Sequence, residues 1–204
     1  MTPCKVSSLL LLLVIFLSCN ENRASKKYIG AAPSPGDSLD AFHGIAVHYN
    51  GPMSGIYGRN YAPDGYNLGL KWQCVEFVKR YYYEVLNHKM PDTYGHAKDF
   101  FDRELADGAL NGRRNLLQFA NGSSYRPQVN DIIVFDGWIG NEFGHVGIVS
   151  TVTAGQVEII QQNVGMHTRA EYSLKHSGTY WTIENSRVLG WLRKQEIPNL
   201  FPAR

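Results

Sequence analysis

The stretch from Gly69 to Val78, with the sequence GLKWQCVEFV, joins a glycine-rich irregular segment to an amphipathic run. From Cys74 onward, apolar side chains recur at spacings of three and four, which predicts a helix that extends to about Asn87. Cys74 lies in the first turn, where unpaired backbone N–H groups and the positive helix end favour the thiolate over the thiol. The stretch therefore predicts a reactive cysteine, provided that the rest of the chain supplies a base.

Composition sets limits on the class of protein. The chain has 204 residues, 44% of them hydrophobic, which suits one domain with a real core and tails. The formal net charge is +2 and there is no long basic run, so no nucleic-acid partner is expected. No HExxH-type spacing, cysteine pair, P-loop or dinucleotide fingerprint occurs in the sequence. We expect neither a metal nor a cofactor.

The N-terminus has the pattern of an export signal. A lysine precedes the apolar run from Leu9 to Leu17, which is too short for a comfortable transmembrane helix and is followed by Ser18-Cys19. This pattern resembles a bacterial lipobox and predicts a lipoprotein signal peptide (1–18), a lipidated Cys19, a flexible tether (19–40), the folded domain (41–197) and a C-terminal tail (198–204). The protein would then be anchored to the cell envelope, facing the periplasm or the cell surface. An ordinary signal peptide cut elsewhere, or an uncleaved anchor, is the alternative.

Cysteine usage and the order of elements add two predictions. Cys4 would leave with the signal and Cys19 would carry lipid, so Cys74 would be a lone thiol, either reactive or buried and inert. A second helix is predicted from Tyr94 to Leu105, and strands are predicted at 131–135, 145–152, 157–162 and 188–192. Helices followed by an antiparallel sheet predict an α+β fold, with N-terminal helices packed on a C-terminal sheet.

His145 is the best-placed of the seven histidines to act as the base for Cys74. It opens a predicted strand between Gly144 and Gly147, which leave room for the imidazole. If the hairpin that follows turns near Ala154, His145 lies opposite Asn163 or Val164, with Gln161 on the diagonal. A slip of one residue in the strand register would move these side chains to the other face of the hairpin. The sequence therefore leaves open whether Gln161 or Asn163 orients His145.

Several of these segments together resemble the CHAP domain, a papain-like family of cysteine- and histidine-dependent amidohydrolases and peptidases. The likeness runs from about residue 44 to 196 and is greatest to the amidase domain of bifunctional glutathionylspermidine synthetase/amidases. It rests on the order and spacing of five blocks: Trp72-Gln73-Cys74-Val75-Glu76-Phe77, Asn121-Gly122-Ser123, Gly144-His145-Val146-Gly147-Ile148-Val149, Gln162-Asn163-Val164 and Leu189-Gly190-Trp191.

The resemblance implies roles for individual residues. Cys74 would be the nucleophile and His145 the general base. Where the family carries Glu-Gln-Asn, this chain has Gln161-Gln162-Asn163, so an amide replaces the usual acid and Asn163 could take the orienting role. Lys79 stands where the amidase domain has an arginine, which bears on substrate identity. The predicted substrate-binding residues are Trp72, Gln73, Lys79 and Trp138.

Two hypotheses about the substrate of an enzyme follow, together with one hypothesis in which the protein is not a catalyst. The resemblance implies hydrolysis of glutathionylspermidine or a similar amide, whereas the predicted export favours a peptidoglycan peptide. In both, the chain would be a cysteine amidase acting on a peptide-like amide through a thioester. The third possibility is a non-catalytic cell-wall-binding lipoprotein, supported by Gln161 in place of the acid.

Overall fold

A computed structural model describes residues 32–195 of the chain. The predicted signal peptide (1–18), the lipidated Cys19 and the tail (198–204) lie outside the described residues. The first strand begins within the segment predicted as a tether. In chain order the elements are β1 (Ser38–Phe42), β2 (Ile45–His48), β3 (Arg59–Tyr61), β4 (Asn67–Leu70), α1 (Cys74–Glu84), a 3-10 turn (Lys98–Phe100), β5 (Leu110–Asn111), β6 (Leu116–Ala120), β7 (Ile132–Phe135), β8 (His145–Val152), β9 (Gln156–Gln161), β10 (Arg169–Ser177), β11 (Tyr180–Ile183) and β12 (Val188–Arg193).

One large antiparallel sheet dominates the domain. Eight strands form it in the order β11-β10-β9-β8-β7-β12-β6-β5, and the other four form the hairpins β1-β2 and β3-β4. Across the described part of the chain, α1 is the one α-helix. The prediction of an α+β fold with N-terminal helices packed on a C-terminal sheet is therefore wrong, and the domain is mostly β. Within residues 32–195, no helix has the length and apolar character needed to span a bilayer.

The centre of the sheet is apolar on both faces. All four residues of β7 are buried, and their side chains alternate between two clusters because strand side chains have a period of two. Ile132 and Val134 belong to the cluster that contains Phe77 of α1. Ile133 belongs to the opposite cluster, around Trp191. The sheet is thus covered by α1 on one face, which fixes the position of the helix start.

Helix α1 begins at Cys74, as predicted, and ends at Glu84, somewhat before the predicted end at Asn87. Asn87 has a φ of +46°, a left-handed conformation that is typical just beyond a helix end. The apolar face predicted from the spacing is buried against the sheet, with four side chains at most 1% exposed: Phe77, Val78, Tyr81 and Tyr82. This burial holds the first turn, and with it Cys74, at the sheet.

The helix predicted from Tyr94 to Leu105 is wrong, because only the 3-10 turn at Lys98–Phe100 forms there. Side chains take over the backbone groups that a helix would pair. The carboxylate of Asp99 accepts the N–H of His96 at 2.8 Å. The buried guanidinium of Arg114 donates to three carbonyls of this part of the chain, those of Asp92 (2.7 Å), Tyr94 (3.3 Å) and Asp99 (3.3 Å).

Candidate active site

Cys74 lies where α1 meets the start of strand β8. Its side chain is 8% exposed, and it is the free cysteine of the described region. The backbone N–H groups of Val146, Val75 and Cys74 itself are within hydrogen-bonding reach of the thiol. Because Val146 directly follows His145, this contact places the sulfur at the start of β8, the strand that carries the predicted base.

His145 is the first residue of β8 and pairs with Phe135 of β7. Gly144, just before it, has a φ of +73°, and a Cβ there would lie 2.5 Å from the carbonyl oxygen of Phe135. At Gly147 a Cβ would lie 2.9 Å from Cδ1 of Ile159. Gly144 is therefore required by the close approach of two backbone segments, whereas at Gly147 the end of the Ile159 side chain would have to shift to admit a Cβ.

At the end of the β8-β9 hairpin that lies at the site, the strands pair in the predicted register. Gly147 pairs with Gln161, and the same register continued to the start of β8 puts His145 opposite Asn163, with Gln161 on the diagonal. Of these two candidates, Gln161 contacts the imidazole: its Oε1 lies 2.9 Å from Nε2 of His145. The side chain that meets His145 is thus the glutamine that replaces the usual acid.

The amide of Gln161 also fixes the tautomer of His145. Nε2 of Gln161 donates to the carbonyl of His167 at 3.1 Å, and since a carbonyl only accepts, Oε1 of Gln161 must be the atom that faces the imidazole. Nε2 of His145 then carries the proton, and Nδ1 keeps its lone pair. The nitrogen left as an acceptor is the one that a thiol could protonate.

Asn163 does not contact His145 but holds Gln73, the residue before the nucleophile. Its Nδ2 donates to Oε1 of Gln73 at 2.6 Å, and its Oδ1 accepts from the buried Asn50 at 2.8 Å. Nε2 of Gln73 in turn donates to the carbonyl of Gly55 at 2.8 Å. Gln73 lines the cleft, but both ends of its amide are engaged by protein groups.

Trp72 and Lys79, which are predicted to contact substrate, are not among the residues that line the cleft. The ring of Trp72 packs on His48, with centroids 4.1 Å apart. Lys79 is 1% exposed, and its Nζ donates to the carbonyls of Asn67 and, at 3.1 Å, Thr93. A cation on the buried face of a helix needs such acceptors, and Lys79 braces the segment that forms the cleft wall.

A buried polar network joins the two halves of the site, and no local pattern in the sequence predicts it. Nε2 of Gln162 donates to the carbonyl of Gln73 at 3.0 Å and to Oε2 of Glu76 at 2.9 Å. Glu76 is fully buried and forms an ion pair with Arg80 at 2.7 Å. Three consecutive side chains at the end of β9 thus have separate partners: Gln161 holds His145, Gln162 holds the start of α1, and Asn163 holds Gln73.

Burial sets the protonation states of the pair. It raises the pKa of the Cys74 thiol to about 11, against the opposing effect of the nearby N–H groups. It lowers the pKa of His145 to about 4, and the hydrogen bond that His145 donates to Gln161 acts in the opposite direction. Between these values the pair rests as neutral thiol and neutral imidazole. Desolvation of the thiol therefore opposes the thiolate that the helix start favours.

Cys74 and His145 line one cleft of about 970 Å³. Trp138 forms part of its wall, with the guanidinium of Arg187 4.5 Å from the ring centroid. Among residues 32–195, no group of three His, Cys, Asp or Glu side chains could hold a metal ion. Four apolar side chains of the lining are at least half exposed, so the cleft has an apolar rim: Met53, Ile56, Tyr94 and Phe143.

Replacing Gln161 by glutamate is expected to move the acid limb of the kcat/KM profile upward from about pH 4. A carboxylate beside the imidazole stabilises imidazolium and raises the pKa of His145. Because the general base must be neutral, activity is lost as the pH falls through that pKa, so Gln161→Glu loses it at higher pH than the wild type. Above the limb, Gln161→Glu is expected to be faster, since imidazolium forms during the reaction.

Gln161→Ala is the matched control for that measurement. Both replacements remove the N–H that the His167 carbonyl accepts, but only Gln161→Glu adds a charge. Gln161→Ala is expected to lower the rate and leave the acid limb at or below its wild-type position. The same limb in Gln161→Glu and the wild type would contradict the assignment of Gln161 as the partner of His145.

Comparison with known proteins identifies one matching domain family and several relatives. Residues 64–163 match the CHAP domain family. The bifunctional glutathionylspermidine synthetase/amidase of Escherichia coli (strain K12) is 32% identical over 155 residues, which cover 68% of this chain and 24% of that protein. Trypanothione synthetase of Crithidia fasciculata is 30% identical over 131 residues, covering 62% of this chain and 20% of that protein. The chain therefore spans about a quarter or less of the length of these relatives.

A solved structure described as "The crystal structure of Ly7917" is a more distant match. It has a TM-score of 0.36 and 18% sequence identity, and the match covers 59% of this chain and 53% of the other. A likeness at this level carries no argument about function.

Proposed function

We propose that this chain, which belongs to the CHAP-domain family of cysteine- and histidine-dependent amidohydrolases and peptidases through residues 64–163, hydrolyses amide bonds in peptide-like substrates with Cys74 as nucleophile and His145 as general base. One observation carries the proposal: Cys74 and an imidazole held by Gln161 line the same cleft. A nucleophile, a base and an orienting group in this arrangement are what acyl transfer requires.

In the proposed reaction, Nδ1 of His145 takes the proton of Cys74 as the sulfur attacks the amide carbon. The backbone N–H of Cys74, at the start of α1, donates to the oxyanion that forms. The C–N bond then breaks, His145 returns the proton to the leaving amine, and a thioester remains. Water hydrolyses the thioester with His145 as base, which releases the acid and restores the thiol.

The experiment is to incubate the purified protein with cell-wall sacculi and, separately, with glutathionylspermidine. We expect release of muropeptides or of free spermidine by the wild type and no product from Cys74→Ala, which removes the nucleophile. Binding to sacculi without any Cys74-dependent product from either substrate would contradict the proposal and favour a non-catalytic cell-wall-binding protein.

Two substrate classes are compatible with this mechanism. The Escherichia coli relative, by its name, acts on glutathionylspermidine, and its likeness to this chain supports an amide of that kind. The lipobox-like pattern at Cys19 supports a location on the cell envelope, where peptidoglycan peptides are the accessible amides. Fractionation of cells that express the full chain tests the location, and recovery in the cytosol would contradict it.

A further inference from the structure

The charges that line the cleft are of one sign. The lining includes Cys74, His145 and a second histidine, but among its described side chains there is no Asp, Glu or Lys. Arg59 is the one lining residue with a permanent charge. A cleft of this composition attracts anions and offers no carboxylate to a cation.

Arg59 is held in place but has no acidic partner. It belongs to β3, opposite Leu70 of β4, and its Nη1 donates to Oδ1 of Asn67 at 3.2 Å. In the region 32–195, its guanidinium makes no ion pair with a carboxylate. Asp92, which precedes the lining residue Thr93, is paired with Arg113 at 2.8 Å. The guanidinium fork is therefore available to a ligand.

Two buried cations lie behind the same wall. Lys79 donates to the carbonyl of Thr93 at 3.1 Å, and Arg114 donates to the carbonyl of Tyr94 at 3.3 Å. Thr93 and Tyr94 both line the cleft. Burial, together with repulsion from Arg114 and Arg59, lowers the pKa of Lys79 to about 8. The carboxylates of Asp92 and Asp99 lie near these two cations and offset their charge, so the charge that the wall presents to the cleft is that of Arg59.

Aromatic rings could in principle bind an ammonium group in place of a carboxylate. Two rings of the lining, however, already have a guanidinium near them. Arg187 lies 4.5 Å from the ring centroid of Trp138, and Arg59 lies 5.4 Å from that of Tyr94. A cationic ligand at either ring would meet a like charge.

We infer that the cleft selects substrates with a carboxylate, which Arg59 binds, and that it has no subsite for a polyamine leaving group. This inference rests on the proposed function and narrows it to amides between amino-acid units, in which the released amine is not a polycation. Arg59 is then the residue that determines specificity for the anionic part of the substrate.

The test compares three synthetic substrates that share one scissile amide. The first carries a free carboxylate, the second has that carboxylate amidated, and the third has spermidine as the leaving amine. For the wild type we expect kcat/KM to be at least about tenfold higher for the first than for either other, the scale of one charge-assisted hydrogen bond. Arg59→Gln is expected to bring the first two values together, whereas Lys175→Gln, which removes an exposed cation outside the cleft, is not.

Two outcomes separate this inference from the proposed function. Cys74-dependent cleavage with the same carboxylate preference in Arg59→Gln and the wild type, or with spermidine amide as the best substrate, would overturn the inference alone. Activity that persists in Cys74→Ala would overturn the proposed function.

A binding measurement decides the inference even if none of the three substrates is cleaved. Calorimetry with Cys74→Ala would compare glutathione, glutathione with both carboxylates amidated, and spermidine. We expect glutathione to bind at least about tenfold more tightly than the other two, and the difference to disappear when Arg59→Gln is added. Equal affinities, or tighter binding of spermidine, would overturn the inference.

Discussion

Replacing His145 by alanine is expected to lower kcat/KM by about 10²–10⁴-fold, the range found for the loss of a general acid–base. The effect is expected to be near the upper end, because the Cys74 thiol has a pKa raised to about 11 and gives up its proton only to a base. A buried amide orients the imidazole of His145, since its Nε2 lies 2.9 Å from Oε1 of Gln161. The measurement is kcat/KM with whichever substrate the wild type cleaves.

Two controls make the result specific to the pair. The double variant Cys74→Ala/His145→Ala is expected to have a kcat/KM no lower than that of the less active single variant, because the effects of residues that act as a unit are not additive. His176→Ala removes a histidine on β10, outside the cleft lining, and is expected to retain the wild-type rate. Equal losses in His176→Ala and His145→Ala, or additive losses in the double variant, would contradict a Cys74–His145 unit.

The elements closest to the site follow local rules, and the sequence predicted them. The start of α1 at Cys74 follows from the spacing of its apolar side chains. Strand β8 has the predicted bounds, and the turn near Ala154 determines the register that puts Gln161 diagonal to His145. These features depend on residues near one another in the chain, so periodicity and turn chemistry were enough.

The orienting partner and the substrate contacts depend on long-range geometry. Asn163 and Gln161 lie on one face of the hairpin by period two, but Asn163 falls beyond the end of β9 with a φ of +67°. That left-handed backbone turns its side chain to Gln73 instead of His145. The resemblance implies a substrate contact for Lys79, because the amidase domain has an arginine at that position, whereas Lys79 lies on the buried face of α1. No local pattern distinguishes these cases.

The error in fold class has a related cause. Apolar spacing from Tyr94 to Leu105 fits a helix, but Arg114, well downstream, binds the carbonyls of that segment and stabilises an irregular path. Strands β10 and β11, at one edge of the sheet, were not predicted, because β10 is largely exposed and lacks an apolar run. A sheet of eight strands is therefore larger than its most apolar strands indicate.

The variant Glu76→Ala is expected to lower the free energy of unfolding by about 3–5 kcal/mol, the cost of removing one partner from a buried ion pair. The carboxylate of Glu76 is fully buried, and its loss leaves the guanidinium of Arg80, 10% exposed, without its counter-charge. It also removes acceptors from Asn60 and Gln162, which donate to Glu76 at 2.8 and 2.9 Å. Chemical denaturation at neutral pH measures the change.

Helix α1 itself supplies the control, because Glu84→Ala removes an exposed carboxylate from the same helix and is expected to change stability by at most about 0.5 kcal/mol. The double variant Glu76→Leu/Arg80→Met, which removes both charges, is expected to recover part of the loss. Equal stability of Glu76→Ala and Glu84→Ala would contradict the network. Because Gln162 donates both to Glu76 and to the carbonyl of Gln73, Glu76→Ala removes one of the two hydrogen bonds by which Gln162 ties the end of β9 to the start of α1. We therefore expect folded Glu76→Ala to lose part of its activity.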